Sequence, residues 1–411
     1  MPPERQPNYG RRRVVVVGIV AIAVVALVYL PLTLLAPLPT AHRTTTAAAA
    51  PVTRAAHLTW PSFGASAIGA IGYPNVLSAS GTPGPLPIAS ISKIVTALVT
   101  LEAKPLTVGE EGPTITFSAA DHALYAKYVA LQGTVKPMAT GSSMSEHEVL
   151  EVSLVASANN YAEALADWAF GSNDAYVSAT KTWLASHGLS HTSLSEPTGI
   201  DPANTSTATD LIALGKLALA NPVVAGIVDT KTATVPIVGA IKNTNELLGT
   251  SGVIGVKTGT LDTAGSNLLF ASSFRVGGTS IIVVGVVIGA ADHNALYPAV
   301  SALLAAAKSG FSEVTLTTEG QRFASYTTPW HQASDAVASR TRKVVVWSDT
   351  SVTCVISPAS VQLAAKGSSA GVVTFTVGTS RVSIPLKFSR TIADPGAWWR
   401  LSNPLGTFSG N

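Results

Sequence analysis

Residues 279–288 read TSIIVVGVVI. After its first two residues, and one glycine aside, this run is wholly β-branched and apolar. That pattern suits a central strand buried on both faces. Just before it, Gly255–Lys257 and Asn267–Ala271 also read as strands. Further upstream the spacing turns helical. Ser92–Ala103 (SKIVTALVTLEA) carries it, and so does Glu146–Ala169, where Leu150, Leu154, Ala158, Ala162 and Leu165 share a face. Asp210–Ala220 follows a Thr/Asp-rich start suited to N-capping, and Ala299–Lys308 closes the series as a helix. Helices first, then strands, then a closing helix predict an α+β domain with helices around an antiparallel sheet.

Beyond about residue 310 the pattern changes again. Val344–Trp347, Val352–Ile356, Val361–Ala364, Val372–Val377 and Val382–Phe388 are short strand-like runs separated by Gly, Ser and Pro. They predict a small all-β domain over 311–411, after an α+β domain over 59–310. The chain's 411 residues leave room for both.

The N-terminus carries a different signal. Val14–Ala36 is a run of 23 residues without charge, directly preceded by Arg11-Arg12-Arg13. As a helix it is about 35 Å long, enough for a bilayer core of about 30 Å. The arginines place residues 1–13 in the cytoplasm and the rest outside. A retained transmembrane anchor over 14–36 and a cleaved signal peptide both export the remainder. The run's length, with Pro37 and Pro39 just after it, favours the anchor. Residues 37–58, rich in Ala, Thr and Pro, read as a semi-extended linker.

Charged residues make up 12 % of the chain, about half the usual share, and the net charge is +3. The first 58 residues hold six arginines and one acid, whereas residues 59–411 hold 20 basic and 22 acidic groups. A nucleic-acid binder concentrates basic residues on its folded part, so that class is excluded. The single cysteine, Cys354, excludes an internal disulfide framework and any Cys-rich metal site. In its strand-like context it reads as a small core hydrophobe. Nothing in the sequence calls for a metal or other cofactor.

Three short motifs follow one another: Ser90-Ile91-Ser92-Lys93, Ser157-Ala158-Asn159 and Lys257-Thr258-Gly259. The first sets a hydroxyl and an amine at i and i+3, on one face at a helix start. A serine hydroxyl needs a base within hydrogen-bond reach to become a nucleophile. A lysine serves as that base only if burial or a second cation lowers its pKa, and Lys257 is the obvious second cation. Ser157 can relay a proton, and Asn159 can fix a lysine and hold an amide carbonyl. Lys257, Thr258 and Gly259 offer a cation, a hydroxyl and an open backbone edge, which suits a carboxylate lying beside a strand. Singly, these motifs also fit a helix cap with a solvated lysine, a polar helix surface and a hairpin turn. Together, in this order and at domain-scale gaps, they form the S-x-x-K, S-x-N and K-T-G set of penicillin-recognising serine enzymes.

On these motifs the chain resembles the low-molecular-mass penicillin-binding proteins of the serine D-alanyl-D-alanine carboxypeptidase family. Residues 87–97 (PIASISKIVTA), 154–164 (LVASANNYAEA), 196–214 (EPTGIDPANTSTATDLIAL) and 243–265 (NTNELLGTSGVIGVKTGTLDTAG) extend the likeness across about 60–305. The resemblance implies a penicillin-binding/β-lactamase-like transpeptidase fold and removal of the terminal D-alanine of peptidoglycan stem peptides. β-Lactams would be covalent inhibitors. It implies Ser90 as the acylated nucleophile, Lys93 as its base, and Ser157 and Asn159 in proton transfer and substrate positioning. Lys257 and Thr258 would bind the terminal carboxylate, with Gly259 between them and the oxyanion hole. That hole would be the backbone N–H groups of Ser90 and Thr260. The middle motif departs from the family's frequent Ser-Gly-Asn.

Two rival readings share the motifs. A β-lactamase would use Glu196 to activate the deacylating water, but the asparagine expected four residues later is Ile200. A β-lactam sensor that acylates without turnover would need a cytoplasmic output domain, and only about 13 residues precede the apolar run. Endopeptidase or transpeptidase action on the same substrate stays open. His187 and His191, four apart across Gly188, lack an evident acidic partner and suggest no metal pair.

Overall fold

A computed structural model describes residues 9–46, 51–404 and 406. Residues 1–8 of the expected tail, part of the expected linker at 47–50, and the chain end at 405 and 407–411 lie outside them. Contacts divide the chain into two compact units, one of residues 54–312 and one that joins residues 1–53 to 313–411. The first helix, α1 (Tyr9–Leu34), is long and apolar enough to cross a membrane.

The larger unit has the penicillin-binding, transpeptidase-like α+β fold. The elements that build its main sheet and its site are β1 (Ala65–Ala70), β2 (Val76–Gly81), α2 (Ser92–Ala103), α3 (Glu146–Val155), α4 (Asn159–Phe170), α5 (Ala208–Ala220), α6 (Pro222–Asp229), β3 (Val253–Leu261), β4 (Gly265–Val276), β5 (Thr279–Ala290) and α7 (His293–Ser309). The five strands form one antiparallel sheet in the order β3-β4-β5-β1-β2. β5 is central, as its composition requires, and Val283, Val284, Val286, Val287 and Ile288 are fully buried. α5 and α7 pack on β5 and β4. α2 lies inside the helical layer, where every residue from Ser92 to Leu101 is buried. β3, which carries the third motif, is an edge strand.

Local chemistry sets the element ends. Thr207 caps α5 through Asp210 N–H, so the helix begins two residues before the expected start. Asn221 caps α6, with Pro222 in its first turn. Asp292 caps α7, which starts six residues earlier than the sequence suggests. The continuous helix expected over 146–169 is instead two helices. Ser157 sits between them at φ +60°, a left-handed conformation that no helix interior accepts.

The β unit differs more from expectation. Its six-stranded antiparallel sheet runs His42–Thr45, Arg322–Thr327, Ala333–Ala338, Ser380–Phe388, Ser369–Val377 and Val352–Pro358. Within the stretch expected to be a linker, His42–Thr45 is thus an edge strand, and Leu38 and Ala41 are buried in this unit's core. Val361–Ala364 forms only a bridge between Ala364 and Ile392, not a strand. The sequence signal also misses the strands at 322–327 and 333–338, whose buried positions are largely Ala, Phe, Tyr and Ser. Cys354 lies half-buried against this core.

Candidate active site

The site forms where α2, the α3–α4 turn and the edge strand β3 meet. Ser90 lies in a single 3-10 turn, Ala89–Ile91, that leads directly into α2 and sets Lys93 one turn further on. Lys93 is fully buried. Its Nζ donates to Ser90 Oγ at 2.8 Å, to Asn159 Oδ1 at 2.7 Å and to the Thr198 carbonyl at 2.7 Å. Burial pulls its pKa down to about 7, against the opposing pull of the Glu196 carboxylate. An amine with that pKa is part neutral at neutral pH. Once neutral, it can accept the proton of Ser90 while keeping two hydrogen bonds.

Lys257 is buried as well, and its Nζ donates to Ser157 Oγ at 2.9 Å and to the Thr258 carbonyl at 3.1 Å. Burial first, and the Lys93 charge second, hold it well below the ordinary lysine value. The sequence suggests Lys257 as the cation that depresses Lys93. In the structure burial is the leading cause at Lys93, and the charge effect falls on Lys257. Thr258 Oγ1 lies 2.5 Å from Thr244 Oγ1.

The three motifs therefore form one cluster: Ser90–Lys93–Asn159 and Ser157–Lys257 are joined by direct hydrogen bonds. Ser90, Asn159 and Thr260 line a cleft of about 510 Å³ together with Gly133, Gly199 and Asp262. Gly259 meets a packing demand. A Cβ there would stand 2.7 Å from the Ile88 carbonyl oxygen and 3.2 Å from Ser90 N, so only glycine lets the edge of β3 approach the Ser90 backbone. Ala158 takes φ −71° and ψ 120°, which any residue adopts, so alanine fits the middle motif and the strained position is Ser157 itself.

Sequence reasoning missed the loop that completes the cluster. Glu196 accepts backbone N–H groups from Thr198 (2.7 Å) and Gly199 (2.6 Å), and Nδ2 of Asn204 at 3.1 Å. A carboxylate so engaged fixes the loop that presents the Thr198 carbonyl to Lys93, which leaves the β-lactamase comparison at Glu196 without support. Thr96 Oγ1 ties the same loop down by donating to the Pro197 carbonyl at 2.7 Å. Gly199 has φ +83°, and a Cβ there would fall 2.0 Å from the Ala89 carbonyl oxygen. A backbone carbonyl leaves no signature in a sequence, but the glycine and the Asp-Pro turn after it were visible. His187 stacks on Trp183 with its Nδ1 at the Trp183 carbonyl, while His191 faces Asp210 at 3.7 Å.

A family model described as D-alanyl-D-alanine carboxypeptidase matches residues 73–292. The chain belongs to that family. It is 28 % identical over 206 residues to a D-alanyl-D-alanine endopeptidase of Pseudomonas aeruginosa, covering 48 % of this chain and 63 % of that one. It is 31 % identical over 204 residues to the D-alanyl-D-alanine carboxypeptidase DacB2 of Mycobacterium tuberculosis, covering 48 % and 65 %. The chain thus spans less than two thirds of the length of either relative. In fold it is similar to a peptidoglycan synthesis regulatory factor, PBP3, of Streptococcus pneumoniae, with a TM-score of 0.60 and 21 % identity. That likeness covers 80 % of this chain and 99 % of the other.

Proposed function

We propose that the protein is a serine-type D-alanyl-D-alanine carboxypeptidase that removes the terminal D-alanine of peptidoglycan stem peptides through an acyl-enzyme on Ser90. The observation that carries this reading is the buried Lys93 Nζ, 2.8 Å from Ser90 Oγ and with its pKa near 7. Neutral Lys93 takes the Ser90 proton as Oγ attacks the penultimate peptide carbonyl. The backbone N–H groups of Ser90 and Thr260 receive the developing oxyanion. Such preorganised donors commonly supply a few kcal/mol. Ser157, held by Lys257, passes a proton to the leaving D-alanine, and Asn159 holds the substrate amide. Lys257, Thr258 and Gly259 seat the terminal carboxylate along the edge of β3. Water then hydrolyses the acyl-enzyme. β-Lactams would acylate the same serine.

The apolar helix α1 supports an anchored reading: its arginine-flanked end in the cytoplasm, one transmembrane pass, and the catalytic domain outside the cell. The domain assignment follows as a catalytic unit over about 59–310 and a β unit over 311–411 that also takes in His42–Thr45. Because one relative bears the name endopeptidase, the test uses two substrates. A stem pentapeptide and a cross-linked dimer are each digested and the products weighed. Free D-alanine from the pentapeptide supports the carboxypeptidase; cleavage of the dimer alone would replace it with an endopeptidase.

A further inference from the structure

A last helix, α8 (Gly396–Ser402, GAWWRLS), turns successive side chains to different partners. Trp399 packs on the core of the β unit, its ring edge-on to that of Trp330 at 5.5 Å. Arg400 turns to α1. Its guanidinium donates to the carbonyls of Leu34 at 3.3 Å and Ala36 at 2.7 Å, and it pairs with Asp394 at 2.8 Å. The last carbonyls of a helix lack intrahelical partners, and a cation there also meets the negative end of the helix dipole. Lower on α1, Tyr29 donates its hydroxyl to the Leu401 carbonyl at 2.6 Å. α8 is thus bonded to α1 at two levels. Counted from Arg13, Tyr29 stands about 24 Å and Leu34 about 32 Å along the helix axis, so the far boundary of a bilayer core of about 30 Å falls between them. Trp398 meets neither the β core nor α1 by any hydrogen bond or ring contact among the described residues. It is 83 % exposed, while the other six tryptophans are buried or half-buried. Leu35, between the two carbonyls that Arg400 caps, is 82 % exposed as well.

We propose that α8 is a lipid-contacting element that clasps the outer end of α1 and sets the Trp398 indole at the boundary between acyl chains and headgroups. An indole suits that boundary, because its ring is apolar and its one N–H finds acceptors among headgroup oxygens. The occupant is lipid because the bonds from Tyr29 and to the Leu34 carbonyl hold α8 at the depth where the bilayer core ends. This rests on the anchored reading of α1 and deepens it. The β unit would be held on the bilayer surface through α8 rather than hang from a free linker, with Leu38 and Ala41, just beyond α1, already buried in its core.

The test reconstitutes the full chain in vesicles of phosphatidylcholine and phosphatidylglycerol and reads its tryptophan emission. α1 itself holds no tryptophan, so the signal comes from outside the span. Lipids carrying a nitroxide at the headgroup end of the acyl chain should quench part of that emission, and lipids labelled at the chain end should quench far less. Trp398→Phe should abolish most of the quenchable emission, whereas Trp183→Phe, at a buried tryptophan of the catalytic unit, should leave it unchanged. Arg400→Ala should weaken the quenching by releasing α8 from α1, and Arg400→Lys, which keeps a donor and a charge, should recover part of it. Resistance of the chain to an alkaline wash of the vesicles reports on α1 separately. A wash-resistant chain with no quenching, with quenching unchanged in Trp398→Phe, or with quenching strongest from the chain-end label would overturn the proposal while leaving the anchor intact. Quenching unchanged in Arg400→Ala would overturn the clasp. A chain that the wash removes would overturn both the proposal and the anchored reading.

Discussion

Lys93 carries the chemistry because the protein makes it a poor cation. Three acceptors converge on an amine that has no access to water, and burial brings its pKa to about 7. The sign follows: below that pH the amine holds its proton and cannot take one from Ser90, and above it the amine is free to. The rate of Ser90 acylation by a penicillin should therefore climb as pH rises through about 7 and level off above, as stopped-flow labelling would read. Lys93→Arg keeps a cation at every pH and should lose that limb, with acylation slowed about a hundred- to ten-thousandfold. Ser157 poses a separate residue-scale question. It holds φ +60° to bring its hydroxyl to Lys257. Ser157→Gly should unfold at higher denaturant than Ser157→Ala by about 1 kcal/mol, since only glycine adopts that conformation without strain. Both should acylate slowly. Ser90, Lys93, Ser157, Asn159, Lys257 and Thr258 were legible as residue types in a fixed order. The Thr198 carbonyl was not, because a main-chain acceptor is the same in every residue.

At the scale of elements, the site is a set of close approaches that glycines permit. Gly199 lets the loop after Glu196 lie on the Ser90 turn, and Gly259 lets β3 do so from the other side. Gly199→Ala would bring a Cβ to 2.0 Å of a carbonyl oxygen at φ +83°. The turn has to yield, at about 2 kcal/mol or more, which a shift of the denaturation midpoint would register. Penicillin labelling of Ser90 should fall with it. Elements with strong periodicity were readable: α2 spans Ser92–Ala103 as its apolar spacing predicts, and β5 is the central strand its composition demands. The break at Ser157 was not, since Ala156-Ser157-Ala158 continues the helical pattern, while the bonds that hold the turn run to residues distant in sequence, Thr134, Lys93 and Lys257.

For the molecule as a whole, the two compact units draw on different parts of the chain. The β unit borrows His42–Thr45 from the N-terminal side, with Leu38 and Ala41 in its core. HRTT is too short and too polar to show apolar alternation, and its partner Arg322–Thr327 is about 280 residues away, so no local signal announces the pairing. A chain lacking residues 1–58 should show a lower melting transition for the β unit than one lacking residues 1–36, by about 2 kcal/mol for the Leu38 contact alone. It should also aggregate more readily, because Arg322–Thr327 becomes an open sheet edge. Calorimetry of the two truncated chains would separate these cases from the unchanged transition that a mere linker would give. The central claim, that Ser90 is the acylated nucleophile of a D-alanine-releasing enzyme, is tested most directly by D-alanine release from a stem pentapeptide, measured for the full chain and its Ser90→Ala form. The account predicts steady release that vanishes in Ser90→Ala. Release that survives Ser90→Ala, or its absence from the wild-type chain, would contradict it.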